Sequence, residues 1–211
     1  MRSMNLPAPA TAKGAHTRDM LLGRACELAA RVGLEGVSIG ELANAAGMSK
    51  SGVFAHFGSR EDLVRQTLEW AAAGFTDQVL VPALRRPRGL PRLQAVIEGW
   101  MDWILAHPDG CVFLGAISEY DGRPGPMREF VTELMERWRG VVETAVRKAV
   151  EEGHLRPGTD PKLLAFELHG LMYGLHHVRL HDPQAPDLAR RALHDLFDRY
   201  RADAGPATPP R

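Results

Sequence analysis

The sequence predicts an all-α fold, and three observations carry that expectation. Apolar residues recur at helical spacing between the two tails. Alternating Val/Ile/Thr runs and Asn-Gly hairpin turns are missing from the same stretch. Capping residues punctuate it, with Ser, Thr or Asp ahead of apolar runs and Gly or Pro behind them.

Taken in order, Thr17 is placed to cap a first helix whose apolar face is Leu21, Leu22, Ala25, Leu28, Ala29 and Val32, stopped by Gly33. Ser38 and Glu41 form a capping box that opens a short helix ending before Gly47. Ser49 caps a third helix through about Phe57. After the turn at Gly58, Ser59 and Asp62 open a longer helix reaching about Val81. Pro82, Pro87 and Pro91 are expected to keep residues 82–91 from forming a helix. Leu93 to Ala106 is the next helix, ended by the His107-Pro108-Asp109-Gly110 turn, and Cys111 to Glu119 is short and mostly apolar. Pro126 starts a long amphipathic helix to near Gly153. Asp160-Pro161 opens one to about Asp182, and Pro186 opens the last, to about Ala202. Residues 1–16 and 205–211 read as a flexible arm and tail, since five of the fifteen prolines fall in 1–10 and 205–211.

At 211 residues with 45% hydrophobic and 25% charged side chains, the chain can bury a core without disulfide staples. Cys26 and Cys111 stand far apart in no CxxC pattern, which fits a reducing compartment. No uncharged apolar run approaches the ~20 residues of a membrane span. The start, MRSMNLPAPATAKG, lacks the apolar segment of a secretory signal, so a cytoplasmic protein without membrane contact is expected. Lys plus Arg number 26 and Asp plus Glu 26, which excludes a uniformly basic nucleic-acid coat. Residues 1–66 hold eight basic and six acidic side chains, so any nucleic-acid contact is local and made by a few placed groups. No nucleophile elbow of the GxSxG kind, P-loop or GxGxxG fingerprint is expected, hence no catalytic residue and no cofactor.

The densest signal is a trihelical unit whose second and third helices are joined by Gly47-Met48-Ser49, the short turn of a helix-turn-helix. Ala43, Ala45, Ala46 and Gly47 permit close helix approach. Val53 and Phe57, spaced i, i+4, face the core, leaving Lys50, Ser51, Gly52, Ala55 and His56 on other faces. Such a third helix offers its first residues to base edges in the major groove, and Lys50 can reach a phosphate or a guanine. A generic helical bundle with solvated Lys and Arg fits these spacings equally well.

The wording of the segment adds to this. Gly33-x-x-Gly36, Ser38-Ile39-x-x-Leu42-Ala43, Ala46-Gly47-Met48-Ser49-Lys50-x-x-Val53-Phe54-x-His56-Phe57 and Ser59-Arg60-Glu61-x-Leu63 closely resemble the DNA-binding domain of the tetracycline-repressor (TetR) family of bacterial transcriptional regulators. The resemblance implies a helix-turn-helix domain at 17–63 and a helical ligand-binding and dimerisation domain at 64–204. It places Lys50, Ser51, Gly52, Phe54, Ala55 and His56 at or near DNA, with Ile39, Gly40 and Arg60 near the backbone. Phe54 departs from the family, which usually has Tyr there, so the hydroxyl contact to phosphate is lost. The implied partners are double-stranded operator DNA, a small-molecule effector of unknown identity and a second copy of the chain.

The effector cavity that the resemblance implies would be lined from Trp100, Trp103, Ile104, Phe113, Ile117, Phe130, Trp138, Phe166 and Tyr173, with Glu119, His169 and His176 as polar candidates. For each of these a plain core role is the competing expectation. Gly170-x-x-x-Gly174 marks close backbone approach, expected here across a two-fold axis. His177 and His181 have a spacing that can hold a metal, but no third ligand lies nearby in sequence and no metal is expected. Cys111 sits where a helix start favours a thiolate, though no base partner accompanies it. The expected function is a ligand-responsive regulator, a repressor released from its operator by a small molecule. Two alternatives stay open: a helical enzyme or ligand carrier with a vestigial DNA-binding unit, and a loosely specific DNA-coating protein.

Overall fold

A computed structural model describes residues 12–202. Along them run α1 (Ala12–Val32), α2 (Ile39–Ala46), α3 (Lys50–Phe57), α4 (Arg60–Phe75), a π-helical turn (Thr76–Leu80), α5 (Val81–Leu84), α6 (Leu90–Ala106), α7 (Val112–Tyr120), α8 (Pro126–Glu151), α9 (Pro161–Val178) and α10 (Ala185–Tyr200). The fold is all-α; the one extended pairing among the described residues is an isolated bridge between Leu155 and Arg201.

The chain divides into two compact units, residues 1–72 and 73–211. The division falls inside α4, later than the boundary after residue 63 that the sequence suggests. Burial explains the difference. Leu63, Val64, Leu68 and Ala71 are all buried, and the Trp70 indole N–H donates to Asp19 Oδ1 at 2.6 Å. Most of α4 therefore completes the core of the first unit.

In that unit α1 buries Leu21, Leu22, Ala25 and Ala29, while Val32, expected on the same face, is 53% exposed. Thr17 does not cap α1. The helix begins at Ala12, and the Thr17 hydroxyl donates back to the Lys13 carbonyl at 3.0 Å. Residues 12–16 are thus helical instead of part of a flexible arm; residues 1–11 and the expected tail at 205–211 lie outside the described residues.

The second unit is built on α6, which buries Leu93, Ile97, Trp100 and Ile104. Helix α8 packs against α6, α7 and α9, and α10 packs against α9. The inward residues of α9 are Leu164, Ala165, Leu168, Met172 and Leu175. Each buried Leu, Met or Phe contributes about 1.5–3 kcal/mol relative to exposure.

Two prolines expected to break helices are accommodated. Ahead of Pro82, which has no N–H to give, the Val81 N–H reaches Thr76 O in a π-type turn, and the chain continues as α5 to Leu84. Pro91 sits in the first turn of α6, where a missing N–H costs nothing, so α6 starts at Leu90. At the other end, α9 stops at Val178, short of Asp182, and His177 and His181 straddle the helix terminus instead of sharing a face. α10 ends at Tyr200.

Gly89 sets the entry to α6. Its φ of 90° lies in the left-handed region, and a Cβ there would collide with the ring of His154, whose Nδ1 accepts the Leu90 N–H at 3.3 Å. Gly89→Ala should cost about 1–3 kcal/mol of unfolding free energy in urea titrations, from strain and the displaced imidazole together.

Candidate functional site

Three side-chain caps seat the short helices. Ser38 Oγ accepts the Glu41 N–H at 3.1 Å and donates to Glu41 Oε2 at 3.1 Å. Ser49 Oγ accepts the Gly52 N–H at 3.1 Å, and Ser59 Oγ accepts the Asp62 N–H at 3.0 Å. Between α2 and α3 the reversal depends on Gly47, left-handed at φ 62°, which lets the Met48 N–H reach Ala43 O at 2.9 Å. Gly36-Val37-Ser38-Ile39-Gly40 does spell GxSxG, contrary to expectation. It is no nucleophile elbow, because no strand precedes it and Ser38 is committed as a helix cap.

Val53 and Phe57 turn inward and are buried, as their spacing predicts. The opposite side of α3 faces solvent. There Ile39, Lys50, Ser51, Phe54 and Ala55 line one open hollow of about 430 Å3, bringing five of the nine expected DNA-facing residues together. Phe54 is 54% exposed, a large apolar ring with nothing over half its surface. Gly40 fits the N-terminus of α2 because the Lys50 side chain lies across it; a Cβ there would stand 3.1 Å from Lys50 Cε. Gly52 faces the cap, where a Cβ would press on Ser49 Oγ at 3.2 Å. His56 is half-buried beside Phe57, ring centroids 6.3 Å apart.

Arg60 has a different task from the expected one. Its guanidinium donates to the carbonyls of Val37 at 2.9 Å, Leu34 at 3.1 Å and Glu35 at 2.8 Å, and lies 3.6 Å from the Glu35 carboxylate. These contacts occupy its donors in holding the α1–α2 connection.

In the second unit an aromatic cluster gathers residues from several helices. Phe75 meets Trp138, Trp103 and Phe113 edge-on, at centroid separations of 4.7, 5.3 and 6.1 Å. Trp100 meets His169, Trp138 and Tyr173 at 4.9, 5.1 and 6.2 Å. Phe75 was not among the expected residues; its i, i+4 spacing with Val79 was the signal available. Two polar atoms in this cluster are buried without a protein partner, Trp138 Nε1 and His169 Nε2. His169 Nδ1 lies 2.7 Å from Ala165 O, so Nδ1 carries the proton and Nε2 presents a bare lone pair. Burial holds the His169 pKa below the ordinary His value, favouring that neutral ring. Tyr173 also borders a hollow of about 330 Å3, shared with Ile117, Val131, Met135 and the paired charges of Glu136 and Arg139.

The remaining expected effector residues are scattered. Phe166 is 73% exposed and lines no cavity; its neighbours Ala165 and Leu168 take the inward positions of α9. Ile104 is fully buried core, and Phe130 and Glu119 are half-buried or exposed outside the aromatic cluster. Cys111 is buried, and its thiol is pushed up by that burial, which outweighs the helix-start hydrogen bonds that would favour a thiolate.

Two family models match the chain. One, described as bacterial regulatory proteins of the tetR family, covers residues 21–67. The other, a tetracyclin repressor-like C-terminal domain, covers residues 89–193. Among solved structures, a TetR transcriptional regulator from Chloroflexus aurantiacus superposes with a TM-score of 0.79 at 23% identity, covering 91% of this chain and 100% of that one. A regulator from Saccharomonospora viridis in complex with choline gives 0.75 at 22% identity, covering 90% and 99%. AibR in complex with isovaleryl coenzyme A and operator DNA gives 0.68 at 22% identity, covering 85% and 97%. These likenesses establish the fold. No curated protein sequence matches the chain.

Two outcomes are expected from this geometry. Arg60→Ala strands three carbonyls and should lower unfolding free energy by about 1–2 kcal/mol, whereas Lys50→Ala should leave it unchanged in the same urea titration. His176 is held at about 4, first by burial and then by the charges of Arg179 and His177. The unfolded chain takes up that proton near the ordinary His value of about 6.5. Stability from this group is therefore complete above pH ~6.5 and lost as pH falls toward 4. Melting temperatures across that window should drop less steeply in His176→Gln than in wild type.

Proposed function

Because the chain belongs to the TetR family of bacterial regulators, we propose that it is a repressor that binds a near-palindromic operator as a homodimer and is released by a small molecule. The observation that carries this reading is the solvent-facing side of α3, where Lys50, Ser51, Phe54 and Ala55 share one hollow on a doubly capped helix. In the major groove Lys50 reaches a phosphate or guanine edge, and Phe54 offers contact to a thymine methyl. Gly52 and Ala55 are too small to read bases, so DNA shape supplies part of the specificity. The protein acts in the cytoplasm, where its DNA lies, and carries no catalytic activity.

Assembly rests on α9 and α10. Leu163 and Phe166 are 51% and 73% exposed, Leu188 is 41% exposed, and no atom comes within 4 Å of a Cβ built at Gly170 or Gly174. A copy related by a two-fold axis would cover this apolar, glycine-notched face and set two recognition helices roughly 34–36 Å apart. The effector enters beside Tyr173. A hydroxyl-type group would accept from Trp138 Nε1–H and donate to His169 Nε2, satisfying both. Continuity of α4 through Ala72 and Ala73 gives a covalent route from that site to the DNA unit. AibR, with this fold, was solved with both isovaleryl coenzyme A and operator DNA, which supports joint regulation by the two classes of ligand.

Selection from a pool of random duplexes tests the proposal. Wild type should enrich a two-half-site sequence. On it, Lys50→Ala should bind more weakly, with a salt slope reduced by about one. Phe166→Asp should run as a monomer in light scattering and lose the operator. An unenriched pool, or a dimeric Phe166→Asp, would overturn the reading of α3 or of α9 respectively.

A further inference from the structure

A second groove of about 890 Å3 lies in the 73–211 unit, apart from the aromatic cluster. It runs between the π-helical turn, α5, the start of α6 and the later half of α8. Its apolar lining is Leu80, Leu84, Val96, Val141 and Ala145, and Leu84 is 62% exposed. Every charged residue in the lining is a cation: Arg88, Arg92, Arg137 and Lys148. This single-signed lining occurs in a chain of zero net charge.

Two of the four cations are already answered, Arg88 by Glu152 at 3.3 Å and Lys148 by Glu151 at 2.7 Å. The other two are not. Arg92 donates from Nε and Nη2 to the Arg86 carbonyl, at 3.2 and 2.9 Å, which orients its guanidinium without neutralising it. Arg137 pairs with no carboxylate among the described residues. A solvated charged face would account for the arginines alone. It does not account for a leucine left largely in water between them, above a notch at Gly140.

We infer that this groove binds a small amphipathic anion, a phosphate monoester or carboxylate carrying a medium-length aliphatic chain. The head group meets Arg92 and Arg137 through charge-assisted hydrogen bonds, and the chain covers Leu84 and Val141. The site is separate from the proposed effector position at Tyr173, Trp138 and His169, so the protein would register two chemically different ligands.

Calorimetric titration of the full-length protein with octyl phosphate, kept below its micelle concentration, tests this. One saturable site per chain is expected. Inorganic phosphate and octan-1-ol, each lacking one half of the amphiphile, should bind at least about tenfold more weakly. Arg137→Gln and Leu84→Asn alter exposed side chains, so both should fold, and each should weaken octyl phosphate about tenfold. Trp138→Phe should leave that affinity unchanged. Absence of binding, indifference to both groove variants, or loss on Trp138→Phe would overturn the inference. So would sedimentation of the protein with phosphatidylglycerol vesicles that Arg137→Gln abolishes, since that assigns the groove to a lipid surface.

Discussion

Between α1 and α2 the backbone leaves the helical pattern, and the carbonyls of Leu34, Glu35 and Val37 must find donors elsewhere. One guanidinium meets all three, from Arg60 at the start of α4. This fixes where α2 begins relative to α4. Through the Gly47 reversal it also fixes α3, the helix that carries Lys50 and Phe54. The recognition surface thus inherits its position from a residue that is itself spoken for. Ser38, Ser49 and Ser59 refine the same arrangement by satisfying helix N–H groups locally, each worth about 1 kcal/mol.

What was legible in the sequence was local. The caps need only a residue and its partner three positions on, and Val53 with Phe57 needs only the helical period, so both could be read directly. Arg60 could not, because its acceptors lie 23 to 26 positions away and nothing in its own neighbourhood names them. Phe166 illustrates the same limit within one helix. An aromatic residue in an apolar helix suggests burial, but α9 has two apolar faces, and only its packing on α8 and α10 decides that Ala165 and Leu168 turn inward. Pro82 and Pro91 misled for a related reason. A missing N–H breaks a helix only where that N–H has an acceptor to lose, and neither proline stands at such a place.

The two hollows of the second unit differ in kind. Around Trp138 and His169 the rings are packed edge to face, burial favours neutral groups, and two complementary polar atoms wait without partners. Around Arg92 and Arg137 the side chains stay in water and keep their charge. Low dielectric makes a hydrogen bond count for more in the first setting, while in the second the attraction to an anion is screened by salt. Discrimination in the aromatic site would rest on shape and on one polar group; in the cationic groove it would rest on the sign of the ligand's charge.

The π-helical turn from Thr76 to Leu80 bears on how this chain compares with relatives of different length. A π-type turn holds one residue more than the α-turn it replaces, so it behaves as a stored insertion. Phe75, Val79 and Ala83 are all buried, four positions apart each time. In an unbroken α-helix such a series drifts around the axis, since each residue advances about 100°. The wide turn absorbs part of that drift and keeps the three in line. Removing one residue between Phe75 and Pro82 would therefore leave the fold's topology intact yet swing everything after it by roughly a quarter of a turn. The gap that aligns best with a shorter relative belongs inside this helix, not in the loop beyond it.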